Sequence, residues 1–291
     1  MHYTSKKTSI RPDACKGGLK LNIYLRELKA NLKSFLFWCI GIIAIIAGGM
    51  GKYAGFSSSA QSIASIMEKT PRALLAIFGM NDVDMSTPAG FYAVIFLYVL
   101  IMSTVYSSML GAGIISKEER DNTSEFLFTK PVTRADVITA KILAALTYTL
   151  LFNIAAIAVS FAAASMVTPE SITGIKYGLS RDILMLGAGM LAVQLIYLFI
   201  GTGMASVIKK PGASTGIAAG VMLATYFVSM VIDLTDDLDF LKYLTPFKYF
   251  EPKKLINGGN PEPIFIGTSL VLIVLFLFAT YIFFPKRDLN I

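Results

Sequence analysis

Residues 111–142 read GAGIISKEERDNTSEFLFTKPVTRADVITAKI and lie between two long apolar runs. The stretch carries Lys117, Glu118, Glu119, Arg120, Asp121, Glu125, Lys130, Arg134, Asp136 and Lys141. A single such charge at the centre of a bilayer costs about 3 kcal/mol or more, so the segment must leave the hydrocarbon. Its second half holds a helix-start signal, Thr133 at the cap and Asp136 three residues on, just ahead of the apolar run from Val137. Pro131 ends whatever helix precedes that cap. The expected structure is a short charged helix, a sharp Lys-Pro turn, and a capped entry into the next membrane span.

The composition agrees. Of 291 residues, 55% are hydrophobic and 15% charged, with a mean hydropathy of +0.64, which excludes an ordinary soluble domain. A crossing helix needs about 20 apolar residues. Six runs qualify: Phe35–Gly51, Phe91–Ile115, Val137–Val167, Ile183–Ile208, Ala213–Ile232 and Ile264–Phe284. With the N-terminus inside, 17 of the 26 Lys and Arg fall in inner segments, so basic-residue bias predicts an N-in, C-in chain with residues 111–142 in the cytosol. The net charge of +7 then suits anionic lipid at the inner face better than nucleic acid.

Outward from this frame, residues 1–18 are polar and basic and read as a disordered start. Residues 19–34 repeat at helical spacing, with Leu21, Leu25, Leu28, Leu32 and Phe35 on one face and Lys20, Arg26, Glu27, Lys29 and Lys33 around the other. That pattern predicts an interfacial helix on the cytosolic leaflet, leaving residues 35–291 as a six-helix transmembrane domain. In the first outer connection, apolar stripes at Ile63, Ile66 and Met67 and at Leu74, Leu75, Ile77 and Phe78 are expected to pack on the outer ends of the spans. In the third, Asp233, Asp236, Asp237 and Asp239 lack the Gly and the terminal bidentate Glu of a calcium loop and read as solvated. The aromatics of Thr245-Pro-Phe-Lys-Tyr-Phe250 suit the outer interface.

No run carries a charge in its middle; Asn153 and Gln194 are the larger polar residues there. An ion-coupled carrier usually needs a buried ionisable group, so a self-powered transporter is disfavoured. Gly212, Gly216 and Gly220 recur every four residues in the fifth run, and Gly201 with Ala205 repeats the spacing in the fourth. Such ridges let helices approach closely, and packing within the chain is favoured slightly over packing on a second copy. Catalysis finds no footing. His2, in the disordered start, is the single histidine, which disfavours His-based metal sites and a Ser-His-Asp set. The Gly48–Tyr53 segment lacks the spacing of a phosphate loop, and Cys15 and Cys39 offer no disulfide framework.

The central stretch resembles the cytosolic segment of type-2 ABC transporter permeases. Members carry an acidic pair after the second span, a short helix ending in an apolar triplet, then Pro-Val-[Ser/Thr]-Arg and a Lys opening the third span. Here those positions are Glu118 and Glu119, Glu125-Phe126-Leu127, Pro131-Val132-Thr133-Arg134, and Lys141. Asn122 stands where the family often has Gly, and Asn tolerates the left-handed backbone a turn there requires. The resemblance implies an all-α permease whose hairpin is the coupling helix that inserts into a separate ATP-hydrolysing subunit. Glu118, Glu119, Glu125, Phe126, Leu127, Pro131 and Arg134 would form that contact. ATP would be bound by the partner, and this chain would hold no cofactor and perform no catalysis of its own. A second permease copy or a related permease would complete an exporter in a cell membrane, bacterial by the same resemblance. Two other classes remain open from the residues alone: a membrane scaffold that recruits a cytosolic protein without transport, and an ion-coupled carrier.

Overall fold

A computed structural model of the protein describes residues 12–53, 55, 67–81, 83–121, 133–167, 173–256 and 259–286. Numbered in chain order among these residues, the α-helices are α1 (Pro12–Met50), α2 (Arg72–Ile77), α3 (Pro88–Arg120), α4 (Arg134–Val167), α5 (Thr173–Val207), α6 (Pro211–Leu234), α7 (Pro252–Leu255) and α8 (Pro263–Lys286). Two 3-10 turns, Asp236–Tyr243 and Pro246–Lys248, lie between α6 and α7. No strand occurs among the described residues. Six of the helices, α1, α3, α4, α5, α6 and α8, are long and apolar enough to cross a membrane, and each of the six apolar runs lies on one of them. At 1.5 Å per residue α3 and α4 are each about 50 Å long, against a hydrocarbon core of about 30 Å, so their charged ends project beyond it.

The helices start where the sequence punctuates them. Pro88 opens α3 behind Thr87, whose Oγ1 accepts from the Gly90 amide at 3.1 Å. Just before it, Ser86 donates to Asp84 from its hydroxyl at 2.6 Å and its amide at 2.9 Å, which holds the Asp84 carboxyl below its ordinary value. At α4 the expected capping box is present: the Asp136 amide donates to Thr133 Oγ1 at 3.2 Å, and the Thr133 amide donates back to Asp136 Oδ2 at 3.4 Å.

At the N-terminus the structure departs from expectation. Helix α1 begins at Pro12, so residues 12–18 are helical, and residues 1–11 lie outside the described residues. No break separates 19–34 from the span, because no Gly or Pro interrupts residues 19–40. Leu21, Leu25 and Leu32 remain exposed, while Ile23 and Glu27 turn inward and Ile23 packs on Val137 and Ala140 of α4.

Helices α3 and α5 form the enclosed centre, and α1, α6 and α8 leave most of their surface facing outward. The α3–α5 contact is set by small residues. A Cβ on Gly111 would stand 2.2 Å from the Leu198 carbonyl oxygen, and one on Gly201 would stand 2.4 Å from the Ser108 carbonyl oxygen. Neither backbone oxygen can yield without separating the helices. The stripe in α6 behaves differently. Gly212, Gly216 and Gly220 have nothing within 4 Å of a built Cβ, so the expected packing within the chain does not occur there. The reason is rotational: α6 turns Ser214, Ala218 and Met222 inward and leaves the glycine face outside.

Two further expectations are corrected. The segment Thr245–Phe250 does not form an exposed interfacial belt. It is buried, with Phe247 against Tyr197 and Tyr226 and Tyr249 stacked on Phe265 at 5.0 Å between ring centroids. Lys248 folds in with it, pairing with Asp233 at 2.7 Å and with Glu251, so the acidic loop is partly neutralised by its own neighbours. On α2, Leu74, Ile77 and Phe78 stay exposed and Ala76 is the residue buried; Ile63 and Ile66 lie outside the described residues.

The two glycine settings separate in stability measurements. Gly111→Val or Gly201→Val is expected to cost about 3 kcal/mol or more, beyond ordinary overpacking because the clash is with backbone. Gly216→Val is expected to leave the thermal midpoint of the detergent-solubilised monomer within a degree or two, and differential scanning fluorimetry reads both outcomes.

Candidate functional site

The projecting end of the bundle gathers charges from three helices. Arg26 and Glu27 come from α1, Lys117 and Glu118 from the last turn of α3, and Lys141 from the second turn of α4. Lys141 is fully buried, and its ammonium donates to Glu118 Oε2 and to the Ile114 carbonyl oxygen. The other Glu118 oxygen accepts from Arg26 Nη2 at 2.7 Å. Arg26 also reaches Glu27 at 3.0 Å, and Lys117 Nζ stands 3.6 Å from the second Glu27 oxygen. Glu27 is as fully buried as Lys141. Three cations and two carboxylates therefore form one network, with Lys141 and Glu118 at its centre.

Geometry makes this network a clamp. Residues 122–132 run from the end of α3 to the start of α4, so Glu118 and Lys141 tie together the two feet of that segment. Arg26 extends the tie to α1. Nearby hydrogen bonds reinforce it: Tyr24 OH and Thr147 Oγ1 lie 3.0 Å apart, and Tyr148 OH donates to the Leu28 carbonyl oxygen. Farther along, Phe35, Tyr148, Phe152, Tyr106 and Trp38 form an aromatic column linking α1, α3 and α4, with Tyr106 stacked on Phe152 at 4.9 Å. Arg134 ties in the last span by donating to the Pro285 carbonyl oxygen of α8 at 2.8 Å. That carbonyl belongs to the final turn of a helix, where oxygens lack helical partners and a cation is favoured.

The residues expected to touch a partner thus divide. Glu118 is buried and engaged by Arg26 and Lys141, so it faces into the bundle. Glu119 is half-buried, and Arg134 has its guanidinium on α8. Glu125, Phe126, Leu127 and Pro131 lie outside the described residues. Sequence reasoning missed Glu27 by assigning it to the polar outer face of an amphipathic helix. No local pattern marks it, because its partner Lys117 lies on another helix 90 residues away. Among the described residues no cluster of three or more His, Cys, Asp and Glu side chains could hold a metal ion.

A family model described as ABC-2 family transporter protein matches residues 21–289, nearly the whole chain. The chain belongs to that family. A multi-pass permease is thereby established, and the clamp sits at the base of the connection between the second and third of its six spans. A search of curated proteins finds no significant match to the permease.

Within the permease, Lys141→Met alone is expected to lower stability by about 3–5 kcal/mol, because it leaves buried carboxylates short of a partner. Removing both charges with Glu118→Leu and Lys141→Met is expected to recover most of that loss. A double-mutant cycle on thermal unfolding in detergent checks the coupling, and additive losses would show that the two charges do not depend on each other.

Proposed function

We propose that this chain is the membrane-spanning subunit of an ABC exporter, powered by a separate ATPase that docks on residues 122–132 on the cytosolic side. The observation that supports this most directly is the clamp. A connection that merely links two spans has no need of a fully buried lysine paired with a carboxylate that a third helix also engages. A connection that must transmit force does need its feet joined to each other and to α1. The apolar triplet Phe126-Leu127-Phe128 would supply the inserted knob, with the surrounding charges setting orientation and partner choice. The rigid continuation into α3 and α4 would carry ATPase closure to the spans as rigid-body motion.

The remaining parts of the reading follow from the same frame. The basic-residue bias supports both termini inside, and the family resemblance supports the plasma membrane of a bacterium. ATP would be held by the partner, and the chain itself would need no cofactor. The outward glycine face of α6, open at Gly212, Gly216 and Gly220, supports close packing on a second permease copy or a related permease. The buried charges of the clamp lie level with the end of α3 and the start of α4, and the mid-span polar pair, Asn153 donating to the Gly187 carbonyl at 3.0 Å and to Gln194 at 3.3 Å, is neutral. Coupling to an ion gradient has no ionisable group to use there.

Replacing both Phe126 and Leu127 by Asp tests the docking. With each anchor worth about 2 kcal/mol, affinity for the ATPase is expected to fall by at least about 30-fold while the thermal midpoint of the permease is unchanged. Co-purification from native membranes, followed by ATP hydrolysis in proteoliposomes, reads the outcome. Retention of an ABC ATPase by the double variant would move the docking site elsewhere. Capture of a cytosolic protein without ATPase activity would favour a scaffold.

A further inference from the structure

Above the clamp, α1 and α6 flank α3 and leave a cavity of about 230 Å³ between them. Its mouth carries Lys117 and Arg120 from the end of α3, and Asn31 and Ser34 lie along its α1 side. Its inner wall is Trp38, Tyr106 and Leu110. Tyr106 lies 14 positions before Arg120 on one helix, so rim and inner wall are about 20 Å apart along the axis. Tyr106 is 2% exposed, lines the cavity, and among the described residues its hydroxyl has no hydrogen-bond partner.

The charges around the mouth are unequal. Among the described residues Lys117 has only the 3.6 Å contact to Glu27, which Arg26 already engages, and Arg120 shares an exposed pair with Asp121 at 3.1 Å. Lys29 and Lys33 on the adjacent turns of α1 are exposed. Beyond the aromatic end, Phe37 and Ile40 of α1 face outward at 71% and 67% exposure. The order is thus cationic rim, hydroxyl and amide wall, then apolar surface open to the bilayer. The volume is below the roughly 300 Å³ at which pockets enclose a whole drug-sized molecule. It suits part of a molecule whose remainder stays in the membrane.

We propose that this groove binds an anionic phospholipid, its phosphate between Lys117 and Arg120, its glycerol region against Asn31 and Ser34, and its acyl chains past Trp38 and Tyr106 along the outward face of α1. The assignment does not depend on the transport reading.

Trp38, the single tryptophan of the chain, lines the groove and reports on it directly. The full-length protein is placed in phosphatidylcholine nanodiscs, and Trp38 fluorescence is followed as brominated phosphatidylglycerol or brominated phosphatidylcholine replaces part of the lipid. Brominated phosphatidylglycerol is expected to quench at lower mole fraction and to saturate. Its advantage should shrink by about fivefold for each basic residue removed, in Arg120→Gln and in Lys117→Gln. Arg120 is exposed and outside the clamp, so that variant should fold even where Lys117→Gln disturbs Glu27. Identical quenching by the two lipids in the wild-type protein would overturn the proposal, as would a preference that survives both substitutions. Protection of Trp38 from both lipids would show a second protein copy covering the groove and would also overturn it. Relief of quenching by millimolar soluble glycerol phosphate would reassign the site to a free anion and reject the lipid.

Discussion

The ion pair between Lys141 and Glu118 is the interaction on which the rest of the charged end depends. A buried ammonium is tolerable only if its charge is met at close range, and Glu118 meets it while the Ile114 carbonyl oxygen accepts a second hydrogen bond from it. Glu118 in turn is shared with Arg26, which fixes the rotation of α1 about its axis. That rotation decides what the N-terminal half of α1 shows to its surroundings. With Glu27 turned inward beside Ile23, Leu21, Leu25 and Leu32 face out along with Lys29 and Lys33. A hydrophobic-face argument alone gives the opposite assignment for Glu27.

The two ends of the protein use charge in different ways. At the end opposite the clamp, Asp233, Lys248, Glu251, Lys253 and Lys254 come from one stretch of chain and neutralise one another locally, pinning the turn that carries Phe247 and Tyr249 into the bundle. At the clamped end the partners come from three separate helices. Local pairing shapes a loop; pairing across helices couples the elements themselves. Between the ends, cohesion rests on the close α3–α5 approach at Gly111 and Gly201 and on neutral hydrogen bonds such as Tyr92 to Ser160 at 2.7 Å.

Much of the architecture was legible in the sequence, because a crossing helix announces itself by length and apolarity without reference to any other residue. The α4 cap at Thr133 and Asp136 was legible for the same local reason. What depended on rotation about a helix axis was not. The four-residue spacing of Gly212, Gly216 and Gly220 indicates a smooth face but not which way it points, and it points outward. The aromatics of 245–250 look the same whether they sit at an interface or fold back into a core. The acidic pair was found as a motif, yet Glu118 is engaged inside the chain, and its partners Arg26 and Lys141 lie 92 and 23 residues away. Pairing over such separations leaves no periodic trace.

The central claim is that the feet of the 122–132 segment move as one body. Spin labels at Asp121→Cys and Thr133→Cys, in a background with Cys15 and Cys39 replaced, report the distance between them in the assembled transporter. The account predicts a narrow distribution that is unchanged between nucleotide-free and vanadate-trapped states and that broadens when Lys141 is replaced by Met. A distribution that is broad in the wild-type protein, or that shifts between those states, would contradict it.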